Sequence, residues 1–170
     1  MTMLPTAGQA LALPTELTCV VPTEFEDANG HMNIRHYFEL QTRAVARLFE
    51  RIGYTLGKAE ARIGPFTLEQ HLRYHREVLV GHEVSAHLRL VGRNYRLLHG
   101  MAFLVNRTED TLANTFEFVL GNVDLEERRL TPFTASAAEA VDREIEQHHH
   151  LDWEVPVFST TGLRRGSISS

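Results

Sequence analysis

The chain has 170 residues, 43% hydrophobic and 23% charged, with a formal net charge of -5. That is enough for one domain with a real core and leaves little room for a second. No basic block is present to meet a polyanion, so nucleic acid is disfavoured as the main partner. The lone Cys19 has no internal disulfide partner, which suits a reducing compartment. No apolar run is long enough to cross a bilayer. Residues 1–14 carry no Lys or Arg and do not read as a signal peptide. The expectation is a soluble, cytoplasmic protein.

In chain order, residues 1–14 are rich in Ala, Pro, Thr and Gly and are expected to form a flexible lead. Glu16 to Val21 reads as a short first strand, stopped at Pro22. Thr23 to Gly30 is polar and turn-forming. Asn33 is placed to cap a long helix beginning near Ile34. Ile34, Tyr37, Phe38, Ala44, Val45, Leu48, Phe49 and Ile52 recur at helical spacing, and Gly53 is placed to end the helix. A short helical turn is expected between Thr55 and Arg62, closed by Gly64-Pro65.

From Phe66 the period changes to two. Phe66, Leu68, Leu72 and Tyr74 are expected on one face, with Thr67, Glu69, His71, Arg73 and His75 on the other. Val84, Ala86, Leu88 and Leu90 share a side of the next strand. Beyond the turn at Gly92-Arg93-Asn94, Tyr95 to Asn106 and Thr111 to Val123 are two further strands. Their stripes are Leu97, Met101, Phe103, Val105 and Leu112, Phe116, Phe118, Leu120. One long helix followed by antiparallel strands with short turns indicates an α+β fold, the helix packed on one sheet face. Thr134 to Gln147 reads as a surface helix, Trp153 as an anchor for the C-terminal extension over 151–170, and residues 163–170 as a mobile tail.

The chemistry concentrates at Asp27-Ala28-Asn29-Gly30-His31-Met32-Asn33, just before the helix. Free N–H groups and the dipole of a helix start favour developing negative charge. A thioester carbonyl held there would have its oxyanion stabilised by backbone donors, expected from the Gly30–Met32 region. Gly30 allows close approach of a ligand. Asp27 can then activate water or attack the carbonyl, with Asn29 and His31 as orienting groups. The plainer alternative is that Asp and Asn are helix caps and His31 a turn residue.

The run Val21-Pro22-Thr23-Glu24-Phe25-Glu26-Asp27-Ala28-Asn29-Gly30-His31-Met32-Asn33, followed by Tyr37, resembles the 4-hydroxybenzoyl-CoA thioesterase-like branch of the hot-dog superfamily. It looks most like the betainyl-CoA thioesterase group, and Phe66 to Tyr74 resembles that group's next strand. The resemblance covers roughly Leu17 to Val123. It implies a hot-dog fold, an antiparallel sheet wrapped round a long helix, over about residues 15–150. It also implies an acyl-CoA substrate, no cofactor, and a homodimer with sites at its interface, a dimer of dimers being the alternative. Carried over residue by residue, Asp27, Asn29 and His31 match the loop's Asp-x-Asn-x-His spacing, and Glu69 is the second carboxylate, facing the partner's loop. Gly30, Met32, Asn33, Tyr37, His71 and Arg73 are the implied substrate contacts, although on spacing alone Tyr37, Phe38 and Phe49 read as core. The loop departs from the aromatic-CoA enzymes after the Asp, so aryl-CoA specificity is not implied.

The expected activity is therefore hydrolysis of a short or polar acyl-CoA. An acyl-ACP thioesterase and a non-catalytic acyl-CoA binding module are the alternatives. Arg73, Arg76, Arg93 and Arg96 are candidates for CoA phosphates. His148-His149-His150 lacks the accompanying ligands of a metal site, so no metal is expected.

Overall fold

The computed structural model describes residues 3–54, 56 and 61–158. In chain order it contains α1 (Ala7–Leu11), β1 (Thr15–Val20), a 3-10 turn (Thr23–Phe25), α2 (Ile34–Arg51), β2 (Ile63–Tyr74), β3 (Glu83–Arg93), β4 (Leu97–Asn106), β5 (Thr111–Asp124), β6 (Arg129–Leu130) and α3 (Ala135–His149). The strands form one antiparallel sheet in the order β1-β3-β4-β5-β2, with β6 beside the end of β5. Bulges in β1, β2, β3 and between β4 and β5 bend the strands and curl the sheet around α2. This is the expected α+β hot-dog architecture.

Asn33 caps α2, its side chain accepting from the Arg35 N–H at 3.1 Å. The buried stripe of α2 is Tyr37, Leu40, Gln41, Ala44, Val45, Leu48 and Phe49, joined by His36 at its edge. Each large apolar member contributes about 1.5–3 kcal/mol on burial. Ile34 and Phe38, assigned to the same stripe by spacing, lie at its flank and remain 61% and 42% exposed. Against this helix pack Val84, Ala86, Leu88 and Leu90 of β3, Leu98, Ala102 and Leu104 of β4, and Phe116, Phe118 and Leu120 of β5. Gly100 belongs to this face. A Cβ there would lie 2.5 Å from Cζ of Phe118, so glycine is what lets that ring seat.

Several expectations are corrected. Pro65 lies inside β2, tolerated because β2 is outermost in the sheet, and the strand starts at Ile63. A bulge at Leu68 shifts the register, pairing Thr67 with Leu120 and Glu69 with Val119. Thr67, Gln70, Leu72 and Tyr74 consequently share the α2 face, while Leu68 packs over Gly121 on the opposite side. The simple alternation failed because one extra residue inverts everything before it.

The lead is not loose over residues 7–13. Thr6 and Gln9 form a reciprocal capping box for α1, and Ala7, Ala10 and Leu13 are buried. They join Met101, Phe103, Val105, Leu112 and Trp153 in a second apolar cluster on the face away from α2. Leu151, Val155 and Phe158 extend this cover, so the sheet is packed on both faces rather than one. Trp153 is the anchor expected of it, its ring beneath the Arg89 guanidinium at 4.2 Å. The turn expected over 55–62 falls largely, and the tail over 163–170 wholly, outside the described residues.

α3 lies against β3, and Arg51 of α2 ties it to the body by pairing with both Glu144 and Glu16. His148 is buried and serves the backbone: its Nδ1 accepts from the Leu90 N–H at 2.9 Å, beside the β3 bulge. Burial depresses its pKa to about 4.

Candidate active site

The loop before α2 is held by its own backbone. Asp27 and His31 close it through an N–H···O bond of 3.0 Å, Glu26 and Met32 form an antiparallel bridge, and the Asn33 N–H donates to the Phe25 carbonyl at 2.8 Å. Gly30 has φ +80°, a left-handed conformation that glycine adopts without strain, and its N–H donates to the Asp27 carbonyl. The Asp27 side chain is about one-sixth exposed, at 17%. Its Oδ1 accepts the Asn29 N–H at 2.8 Å and lies 3.6 Å from His31 Nδ1. Among the described residues Oδ2 has no hydrogen-bond partner, leaving acceptor capacity for water or substrate.

Of the donors expected from the Gly30–Met32 region, two are engaged within the chain. The Gly30 N–H is used by Asp27 and the Met32 N–H by the Val78 carbonyl at 2.8 Å. At the helix start, Asn33 bonds Phe25, Arg35 bonds the Asn33 side chain, and His36 bonds the Asn33 carbonyl. That leaves the His31 N–H in the loop and the Ile34 N–H in the first turn without a partner among the described residues.

Beside the loop opens a cleft of about 290 Å³, to which His31, Ile34, Tyr37, Tyr74, Arg76 and Glu77 contribute. Met32 is fully buried and forms part of its floor. The Tyr37 and Tyr74 rings meet edge to face, with centroids 5.2 Å apart and planes at 89°. Burial pushes the Tyr37 phenol up to about 12, and the nearby Tyr74, Glu77 and Asp27 add to the rise. Both Asp27 and Glu77 thus direct negative potential at this phenol.

Of the expected residues, Asp27, His31, Met32, Asn33 and Tyr37 come together here, with Asn29 and Gly30 on the exposed tip of the same loop. Glu69, His71 and Arg73 do not within one chain, the place expected of Glu69 being the partner's loop. They pair with Val119, Glu117 and Thr115 on the sheet face opposite α2, where His71 stacks on Phe158 at 5.2 Å and Arg73 lies over the same ring. Arg93 is engaged by Asp142 at 2.6 and 2.7 Å, and so is not free for a phosphate. The residues that sequence reading missed are Tyr74 and Glu77, which reach the cleft from the end of β2 beside Arg76, itself a candidate phosphate contact. Their only sequence signal was a polar and aromatic run closing a strand.

The Thioesterase-like superfamily profile matches residues 20–141. A betainyl-CoA thioesterase of Pseudomonas aeruginosa is 30% identical over 153 residues, 89% of this chain and 95% of that protein. An L-carnitine dehydrogenase/betainyl-CoA thioesterase of Agrobacterium fabrum is 28% identical over 116 residues, 68% of this chain, and the chain spans 24% of its length. A Staphylococcus aureus protein solved in complex with CoA has the same fold, with a TM-score of 0.78 and 24% identity over 89% of this chain and 97% of that one. With its curled sheet around α2 and a profile match running from β1 into α3, the chain belongs to the Thioesterase-like superfamily of thioester hydrolases.

Proposed function

We propose that this protein hydrolyses the thioester of a short or polar acyl-CoA, releasing the free acid and CoA, with the acyl group in the cleft beside α2. The observation that carries the reading is the position of the Asp27 carboxylate, held by Asn29 N–H at 2.8 Å on the loop that leads into the helix start. In this reading the Ile34 N–H and the helix dipole polarise the thioester carbonyl. Asp27 either draws a proton from water or attacks the carbonyl itself. His31, 3.6 Å from Asp27, orients the carboxylate or the water, and Asn29 fixes the Asp27 rotamer. Gly30 leaves the loop tip open to the ligand.

Support for CoA as the leaving group comes from the name of the Pseudomonas relative and from the CoA bound to the Staphylococcus structure. The same relatives make a betainyl group the first acyl group to test. The net charge of -5 speaks against docking of an acidic acyl carrier protein. A homodimer fits the sheet, whose outermost strand β2 runs for 12 residues with an edge unpaired among the described residues. The cytoplasm suits a CoA ester as substrate.

Thiol release from a panel of short, polar, branched and aromatic acyl-CoAs tests the proposal. Wild type should turn over at least one, and Asp27→Asn should lower kcat by about 10²–10⁴-fold. Wild-type binding without any turnover would make the chain a binding module instead.

A further inference from the structure

The cleft beside the loop has a neighbour across the end of β2. A groove of about 570 Å³ runs there between the N-terminal segment, from Leu4 to Ala7, and the pair His75 and Arg76, with Thr111 and Leu112 of β5 along its base. Tyr74, His75 and Arg76 border both spaces, so the end of the outermost strand is a wall shared by the cleft and the groove. From the geometry we infer that the CoA arm of the substrate crosses this wall and lies in the groove, with the Arg76 guanidinium against a CoA phosphate, an inference that rests on the acyl-CoA reading above. The opposite wall, Leu4 to Ala7, lies outside residues 20–141 that the superfamily profile matches, so it is an addition to the matched domain.

The charges along the groove have the required sign. The backbone N–H groups of His75 and Arg76 both donate to the Ala113 carbonyl, at 2.8 and 3.1 Å, which pins the turn after β2. The Arg76 side chain is exposed, and its guanidinium has no hydrogen-bond or ion-pair partner among the described residues. Arg93, by contrast, is already held by Asp142. No carboxylate is among the described residues that line the groove, whereas Glu77 lines the cleft. A guanidinium fork with no carboxylate to occupy it suits phosphate oxygens. His75 does not oppose this. Its Nε2 lies 3.0 Å from Thr115 Oγ1, and burial followed by the Arg73 charge lowers its pKa, so the ring stays neutral while Arg73 adds positive potential behind it. A space of about 570 Å³ falls in the range of small-molecule and cofactor sites. Leu4 and Leu112 offer apolar surface to the pantetheine chain, and Thr111 offers a hydroxyl to its amides.

The test places one acyl group that wild type releases on two thiols, CoA and N-acetylcysteamine. The second keeps the thioester and the first amide of the arm but carries no phosphate. Wild type should favour the CoA ester in kcat/KM. In Arg76→Gln, and in a chain lacking residues 1–5, that preference should fall about five- to tenfold, chiefly through KM for the CoA ester, as loss of a charge-assisted phosphate contact or of a groove wall predicts. The deletion keeps the Thr6 and Gln9 capping box and the buried Ala7 and Ala10, so α1 retains its start. Free CoA should inhibit wild-type turnover of the N-acetylcysteamine ester more strongly than it inhibits either variant. A preference unchanged in either variant, equal losses on the two esters, or a wild type indifferent to the thiol overturns the groove while leaving the thioesterase reading intact. Failure of wild type to cleave any acyl-CoA overturns that reading and the groove with it.

Discussion

On the sheet face away from α2, Ser85, His87, Arg89, His99 and Glu117 are all buried, and each has a partner. His87 bonds Ser85 at 2.8 Å and the Leu13 carbonyl at 3.1 Å, Arg89 donates to the Trp153 carbonyl, and Glu117 takes His99 at 2.8 Å and the Phe158 N–H at 3.0 Å. The α2 face is the reverse: largely apolar between helix and sheet, with unspent polar capacity at the open helix start and at the buried Gln41 Oε1. The contrast separates two uses of the same residue types. Paired polar groups sealed by α1 and the C-terminal segment hold the fold in one register, whereas Asp27 Oδ2 and the Ile34 N–H have no partner among the described residues and are available to a ligand.

Substitutions on the two faces should therefore fail differently. The largest effect belongs to Asp27→Asn, with its 10²–10⁴-fold loss of kcat, about 3–5 kcal/mol of transition-state stabilisation. Its urea unfolding midpoint should stay near that of wild type, because asparagine keeps the acceptor for the Asn29 N–H. Glu117→Ala should show the opposite pattern. It strips an acceptor from His99 and Phe158 in a dry site, and should cost about 3 kcal/mol in urea unfolding, with the residual folded enzyme still active. A large drop in activity without loss of stability at Glu117 would break the division between the faces.

The pH dependence of stability sharpens it. Neutral His148 accepts the Leu90 N–H, and its pKa is lowered from 6.5 to about 4 chiefly by burial. Its stabilisation is complete above about pH 6.5 and is lost as pH falls through 4, a span of roughly 2–3 kcal/mol. Comparing urea unfolding at pH 7.5 and 4.5, His148→Gln should lose much of this acid slope, since glutamine offers an acceptor but does not titrate there. An unchanged slope would sink the assignment. The smallest effect is expected for Asn33→Ala, about 1 kcal/mol from loss of the cap on the Arg35 N–H, read as a shift in the melting temperature. A several-fold loss of kcat should accompany it, because the same cap positions the Ile34 N–H.

Much of this was legible in the chain. Asn33 announced the helix start, and the spacing of Tyr37, Ala44, Val45, Leu48 and Phe49 announced its buried face. The alternation of Val84, Ala86, Leu88 and Leu90 placed β3 correctly, and the Asp-x-Asn-Gly-His loop pointed to the site. Facing along β2 was only partly legible: Glu69, His71 and Arg73 lie opposite Leu72 and Tyr74 as the alternation implies, but the bulge at Leu68, which leaves no compositional mark, turns Thr67 onto the α2 face and Leu68 off it. Nor was the packing of residues 7–13, whose small side chains become core only because Met101, Phe103 and Trp153 wait above the sheet. Glu77 carried no signal of its own beside Arg76.

Local physics is what the sequence by itself determined: caps, periods and turns depend on neighbours within a few residues, so helix, strands and loop could be read in order. Tertiary structure alone brought Glu77 of the same chain to the cleft beside the loop, through the path of β2 and the turn after it. It also decided which backbone donors are engaged. The Met32 N–H is spent on Val78, 46 residues away in the chain. The loop's geometry is therefore set partly by that long-range bond, which no local pattern encodes.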